Sequence, residues 1–144
     1  MLNSYKPNST LYLCYMQIPD TYKLNFQPLD LEVVEVLDFQ NSPVLTVEKN
    51  PTGFKYLSWL YQFGPDGVEQ RFVVPLTDAR LDALKSGAIS PREAFSESEL
   101  EQVYCILYDE ASGEVKETWL LPLPVFRNIN PIPSDYQIAA VALP

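Results

Sequence analysis

Apolar and polar positions alternate along much of this chain in runs of six to ten residues, and turn residues separate the runs. That period of two is the signature of β-strands. "TLYLCYMQI" (10–18) is the first such run, and "PDTYKLNFQPLD" follows as a loop bounded by Pro19 and Pro28. "LEVVEVLDF" (31–39) reads as a strand with Leu31, Val33, Leu37 and Phe39 on one face. "VLTVEK" (44–49) is its return after a turn at Asn41-Ser42. "FKYLSWLYQF" (54–63) is apolar on both faces: Leu57, Trp59, Tyr61 and Phe63 on one, Phe54, Tyr56 and Leu60 on the other. A strand apolar on both faces belongs in the middle of a sheet. "GPDG" (64–67) predicts a type I turn followed by a left-handed Gly67, and "VEQRFVV" (68–74) returns with Val68, Phe72 and Val74 on one face.

The same pattern then recurs. "LYQFGPDGVEQRFVVPL" (60–76) matches "LYDEASGEVKETWLLPL" (107–123), with both the Leu-Tyr starts and the Pro-Leu ends 47 residues apart. A second hairpin over 101–109 and 114–121 is therefore expected, closed at "EASG". An internal duplication and two hairpins on similar templates explain the match equally well.

Between the hairpins the period changes to that of helices. Leu76, Thr77, Asp78 and Leu81 form a hydrophobic staple around a Thr N-cap, and Leu81 and Leu84 share the inner face. Gly87 closes this helix, expected over about 78–86. The device repeats with Ile89 before the cap, Ser90 as cap, Pro91 at the first position and Glu93 completing a capping box, for a helix over about 91–96. Helices this short do not persist alone, so they are expected to hold a fixed shape against the sheet. "SESELEQ" (96–102) is expected to add a helical turn before the next strand. Beyond residue 121 the prolines predict a proline-rich extended end over 122–144, with "DYQIAAVA" as a last edge strand.

The segment 56–95 resembles an uncharacterised family of small bacterial domains. Its block is matched here by Val74, Pro75, Leu76, Thr77, Arg80, Leu81, Leu84, Gly87, Ile89, Ser90, Glu93 and Ala94. These are caps and core positions. The resemblance thus implies a shared scaffold of bacterial or phage origin, and no activity.

The chain has 144 residues, 47% of them hydrophobic, which is one ordinary folded domain over 1–144 with a polar, flexible start at 1–9. A chain this long buries roughly 68–70% of its unfolded surface, so it needs neither a disulfide nor a metal for stability. The formal charge of −9, from 10 basic and 19 acidic residues, argues against direct binding to nucleic acid. It serves solubility, or it steers a basic partner. The two cysteines, Cys14 and Cys105, sit in apolar runs with no metal-ligand spacing. Nothing in the start "MLNSYKPNST" reads as a signal peptide, so the "NST" at 8–10 is not expected to be glycosylated, and no apolar run is long enough for a membrane span. The expected location is the cytoplasm.

Catalytic chemistry is hard to place. The chain contains no histidine, which removes the commonest general base and most transition-metal sites. Its five glycines form no phosphate loop. No cofactor, metal or catalytic residue is expected. Asp66, Asp109, Glu110, Glu114 and Glu117 fall at hairpin tips or on polar faces and read as solvated. The aromatics Tyr12, Tyr15, Tyr56, Trp59, Tyr61, Tyr104, Tyr108 and Trp119 all lie in predicted strands. They suit a β-core or a Tyr/Trp-rich interface.

The expected fold is α+β: an antiparallel sheet of about six to eight strands with two short capped helices inserted between two hairpins, or, as the alternative, a partly closed β-barrel. The expected function is a non-enzymatic protein-interaction module: an adaptor, inhibitor or immunity-like protein. Its partner would be another protein, basic where the acidity serves binding, and Glu97, Glu99 and Glu101 would form the contact patch. The alternatives are a carboxylate-dependent hydrolase or transferase, and an acidic mimic of nucleic acid.

Overall fold

The structure, a computed structural model, describes residues 16–64 and 66–138. After a 3-10 turn at Asp20–Tyr22 come β1 (Lys23–Leu24), β2 (Glu32–Phe39), β3 (Pro43–Lys49), β4 (Lys55–Phe63) and β5 (Val68–Pro75). The helices α1 (Asp78–Ser86) and α2 (Pro91–Ser96) follow, then β6 (Gln102–Asp109), β7 (Val115–Pro122) and α3 (Leu123–Ile129). The strands form one antiparallel seven-stranded sheet in the order β1-β7-β6-β5-β4-β3-β2. β2 to β7 are thus a meander of sequence neighbours. Among the described residues β1 and β2 are the edges and do not pair with each other, so the sheet is not closed into a barrel.

One face of the sheet carries the main core. Leu57 and Trp59 of β4, Phe72 and Val74 of β5, and Val103 and Cys105 of β6 pack there against Leu81, Leu84, Phe95 and Phe126 from the three helices. The capping signals act as expected. Thr77 Oγ1 accepts the Arg80 N–H, and Ser90 and Glu93 form the reciprocal capping box. Gly87 stands at φ 83°. Ser90→Ala should therefore cost about 0.5–2 kcal/mol, seen as a melting point lower by roughly 2–5 °C. Gly87→Val should cost more: there is open space for a Cβ, but a β-branched residue resists positive φ. A melting point unchanged in both variants would overturn this account of the insert.

The opposite face is covered only in part. β1 and β2 lie at opposite edges, so the segment 25–31 between them must cross the sheet. It does so on this face, where Leu29 packs on Tyr56, Val73 and Ile106. Among the described residues, this crossing is what packs on the face.

Four expectations need correction. First, the end of the chain is not extended throughout, because α3 forms at 123–129. Its prolines do not oppose it: Pro122 is the N-cap residue and Pro124 lies in the first turn, where no N–H is needed, and Pro131 comes after the end. Second, β2 does not bury a regular apolar face. Register shifts flank Val34 and Leu37, Val33 and Phe39 are exposed, and Asp38 is buried instead. Irregularity of this kind is common in edge strands. Third, the pairing of β4 with β5 shifts at Tyr61, which brings Gln62 opposite Gln70 and Phe63 opposite Glu69, so Phe63 leaves the face of Leu57 and Trp59. Fourth, residues 97–101 form turns and no helix.

Residues 16–18 are not in a strand; the rest of the predicted run 10–18, the flexible start at 1–9, Pro65 of the turn, Tyr12, Tyr15 and Cys14 lie outside the described residues. So does the end of the predicted strand "DYQIAAVA", whose described part, 135–138, is not a strand. Gly67 has the expected positive φ of 81°. The two similar hairpins share their layout. Each has a register shift near its tip, and each return strand ends in Pro-Leu at the start of a helical segment. Among the described residues, no helix is long and apolar enough to cross a membrane.

Candidate functional site

The open face holds a group of polar side chains that strand alternation alone would assign to solvent. Cross-strand pairing brings them together. Arg71 of β5 stands between Leu60 and Ile106, Thr46 of β3 faces Ser58 and Val36, and Glu48 faces Tyr56 and Val33. Glu69 stands between Phe63 and Tyr108. Ser58, Thr46, Glu48 and Arg71 are all buried.

Arg71 ties three strands together. Its Nε donates to Ser58 Oγ at 2.7 Å, and its terminal nitrogens donate to the carbonyls of Pro43 (3.1 Å), Val44 (3.3 Å) and Ser58 (3.4 Å). It also reaches Thr46 Oγ1 at 3.5 Å and pairs with Glu69 at 3.2 Å. A guanidinium has five N–H donors, so this side chain has little left to offer a ligand. Glu48 is different. It is 6% exposed, and its Oε2 accepts one hydrogen bond, from Thr46 Oγ1 at 2.8 Å. Its other oxygen has no hydrogen-bond donor, and its charge no ion-pair partner, among the described residues.

Thr46, Glu48, Glu69 and Arg71 line a cavity of about 260 Å³ with Tyr108, Leu31, Val33 and Pro43 as walls and Asp109 and Glu110 at the rim. Burial pushes the Tyr108 hydroxyl pKa up. The negative charges of Glu48 and Glu69 push it further, and Arg71 opposes them. Four carboxylates against one guanidinium favour a cation in this space. A larger groove of about 620 Å³ lies by the β2–β3 turn, between Trp59, Tyr61 and Tyr136, but the one charged side chain on its wall is Glu110. Tyr136 hydrogen-bonds to Asp38 there, which holds residues 130–138 against the sheet. The smaller cavity carries the chemistry.

The expected contact residues do not converge. Glu97, Glu99 and Glu101 are all exposed, Glu97 as the C-cap residue of α2. Glu99 pairs with Arg80 at 3.7 Å, and Glu101 stands at φ 57° with its carbonyl accepting the Leu123 N–H. Arg71 and Glu48 escaped sequence reasoning because a charge within an alternating strand reads as a solvated position. The available signal was that Arg71 lies on a strand between two others, where a charge needs an explanation. Asp109 and Glu110, taken as solvated tip residues, form the rim of the cavity.

A family of unknown function, DUF6575, matches residues 29–120. The chain belongs to this family. No curated protein and no solved structure matches it. Within DUF6575 the matched span runs from Leu29, which crosses the open face, to Leu120 in β7, and it includes every cavity residue named above. It leaves α3 outside. Among the described residues, no group of three or more metal-binding side chains is assembled.

Cys105 lies on the helical side and is fully buried. Burial pushes its thiol up to about 12, and a hydrogen bond from Gln70 Nε2 opposes this weakly. A pKa raised by folding adds stability below the thiol's ordinary value, 9.0, and that stability fades as pH climbs toward about 12. The loss should approach about 1.4 kcal/mol per pH unit across that window. Tyr56, Tyr104, Tyr108 and Tyr136, all raised mainly by burial, act in the same direction. In a Cys14→Ser background, Cys105 should resist iodoacetamide at pH 8 until the chain unfolds, and Cys105→Ala should flatten the alkaline slope. Rapid native alkylation would contradict both the burial and the shift.

Proposed function

We propose that the protein is a non-enzymatic protein-interaction module of the cytoplasm, an adaptor, inhibitor or immunity-like protein, that uses the carboxylate-lined cavity to engage a basic partner. The observation that carries this reading is Glu48, a buried carboxylate that lines the cavity, accepts one hydrogen bond from Thr46 and has no ion-pair partner among the described residues. Buried charges are ordinarily paired, so the free protein holds a polar group that a cationic partner would complete. The chain's charge of −9 adds long-range attraction for such a partner. Arg71 and Ser58 keep the cavity floor rigid, so little ordering would accompany binding.

The test is affinity capture from a cell extract with the native protein and with Glu48→Gln, at low salt and at about 0.5 M salt. A stoichiometric basic protein held by the native chain, lost from the variant and released by salt is the expected result. A chain that emerges alone even at low salt overturns the reading.

A second reading has one specific observation behind it: Glu48 and Glu69 line the same cavity, as an acid/base pair in a hydrolase or transferase would require. It predicts turnover of a panel of nitrophenyl glycosides and esters that both Glu48→Gln and Glu69→Gln abolish. An acidic mimic of nucleic acid has less support, because these carboxylates line a single cavity.

A further inference from the structure

We infer that the cavity is a receptor for a single cationic side-chain head, an alkylammonium or a guanidinium, carried on an aliphatic stem by the partner protein. This rests on the reading of the protein as an interaction module and adds what the site recognises. The floor of the cavity settles the sign of the charge. Arg71 gives its donors to the carbonyls of Pro43, Val44 and Ser58, to Ser58 Oγ and to Glu69. It balances Glu69 and holds Thr46 in place, and Thr46 passes its own hydrogen to Glu48. Glu48 is left with one oxygen for an incoming donor. An anion would meet four carboxylates and a guanidinium already engaged.

The walls settle the shape. Leu31, Val33 and Pro43 offer apolar surface to methylene groups, as long cationic side chains require when the stem is buried and the head is polar. Tyr108 adds a half-buried ring and hydroxyl, and an aromatic face attracts a cation held within about 6 Å of it. The volume of about 260 Å³ is below the roughly 300–1,000 Å³ typical of small-molecule pockets, and it suits one inserted side chain. Asp109 and Glu110 at the rim extend the attraction outward.

The experiment uses the full chain labelled with nitrogen-15 and three probes: N-acetyl-lysine amide, N-acetyl-arginine amide and the neutral N-acetyl-norleucine amide. At least one cationic amide should give saturable shifts at the amides of Thr46, Glu48, Arg71 and Tyr108. Norleucine amide should give none. Which cationic amide binds more tightly identifies the head. Glu48→Gln keeps the side-chain volume and should weaken binding at least tenfold. Val33→Lys, at an exposed position on the cavity wall, supplies an ammonium from within the chain and should block the probes without disturbing the fold.

Equal shifts with norleucine amide, shifts confined to other surfaces, no shifts with either cationic amide, or full binding by the folded Glu48→Gln or Val33→Lys chain would each overturn the inference. The two proposals fail separately. Amide binding without any Glu48-dependent partner leaves the cavity chemistry and removes the interaction module. A Glu48-dependent partner without amide binding does the reverse.

Discussion

Arg71→Leu is expected to be among the most damaging single substitutions in this chain, costing about 3–5 kcal/mol. The leucine removes the donor that satisfies the carbonyls of Pro43, Val44 and Ser58 from one side chain, and it leaves Glu69 without its cation at a position where it is only 18% exposed. The Ser58 carbonyl is buried, and a stranded buried acceptor costs about 1–3 kcal/mol, while the carbonyls of Pro43 and Val44 are only part-buried and lose less. Relaxation of β3 at the open edge side of the sheet recovers part of the sum. The melting point should fall by roughly 10–20 °C. The companion variant Arg71→Leu/Glu69→Leu removes the abandoned charge as well and should recover part of the loss, since an apolar replacement of a whole buried pair is often close to neutral. If Arg71→Leu shifts the melting point by less than about 2 °C, the guanidinium is not holding these strands together, and the rigid floor argued for the cavity goes with it.

Phe126→Ala should cost a similar amount, about 3–5 kcal/mol, by a different route. Phe126 is fully buried under the sheet, with its ring 5.5 Å from that of Phe72 and 6.3 Å from that of Phe95. Its removal opens a cavity at the point where α2, α3 and β5 meet, and close-packed interiors fill such space only partly. The result also bears on the extent of the folded unit, because α3 lies outside the span matched by the DUF6575 family. Polar links converge on the same place. Arg127 Nε donates to the Ser96 carbonyl at 2.7 Å, Asn130 Nδ2 donates to Ser96 Oγ at 2.7 Å, and Arg92 donates to the carbonyls of Asn130 and Ile132. The guanidinium of Arg127 thus satisfies a carbonyl left open at the end of α2. Urea unfolding should show a lower midpoint with an unchanged slope. A loss below about 1 kcal/mol would mean that α3 rests on the core without being part of it.

The local signals were strong where one residue type has one physical use. Thr77, Ser90, Glu93 and Gly87 were legible as caps because a short polar side chain at an N-cap, or a glycine at positive φ, answers a need created within four or five residues. The hairpins and the central place of β4 were legible for the same reason: alternation and turn chemistry act over a few positions. The prolines near the end misled because number was weighed and position was not. Pro122 and Pro124 occupy the two kinds of site at a helix start that lack an amide requirement. The faces of β2 and of the end of β4 misled because a single register shift reverses which side every later residue takes, and such shifts depend on the neighbouring strand.

The sequence by itself determined an acidic chain of α+β class with an antiparallel sheet and two capped helices between its hairpins. Those features follow from periodicity, caps and charge, all of which are written over short spans. Only the tertiary structure decided that the sheet is not closed into a barrel, that the segment 25–31 crosses its second face, and that Glu48, Glu69, Arg71 and Tyr108 line one cavity there. Glu48 and Tyr108 lie on strands β3 and β6 and are brought near each other by β4 and β5 between them. No local preference of either residue records that distance, because it is set by the order and register of four strands.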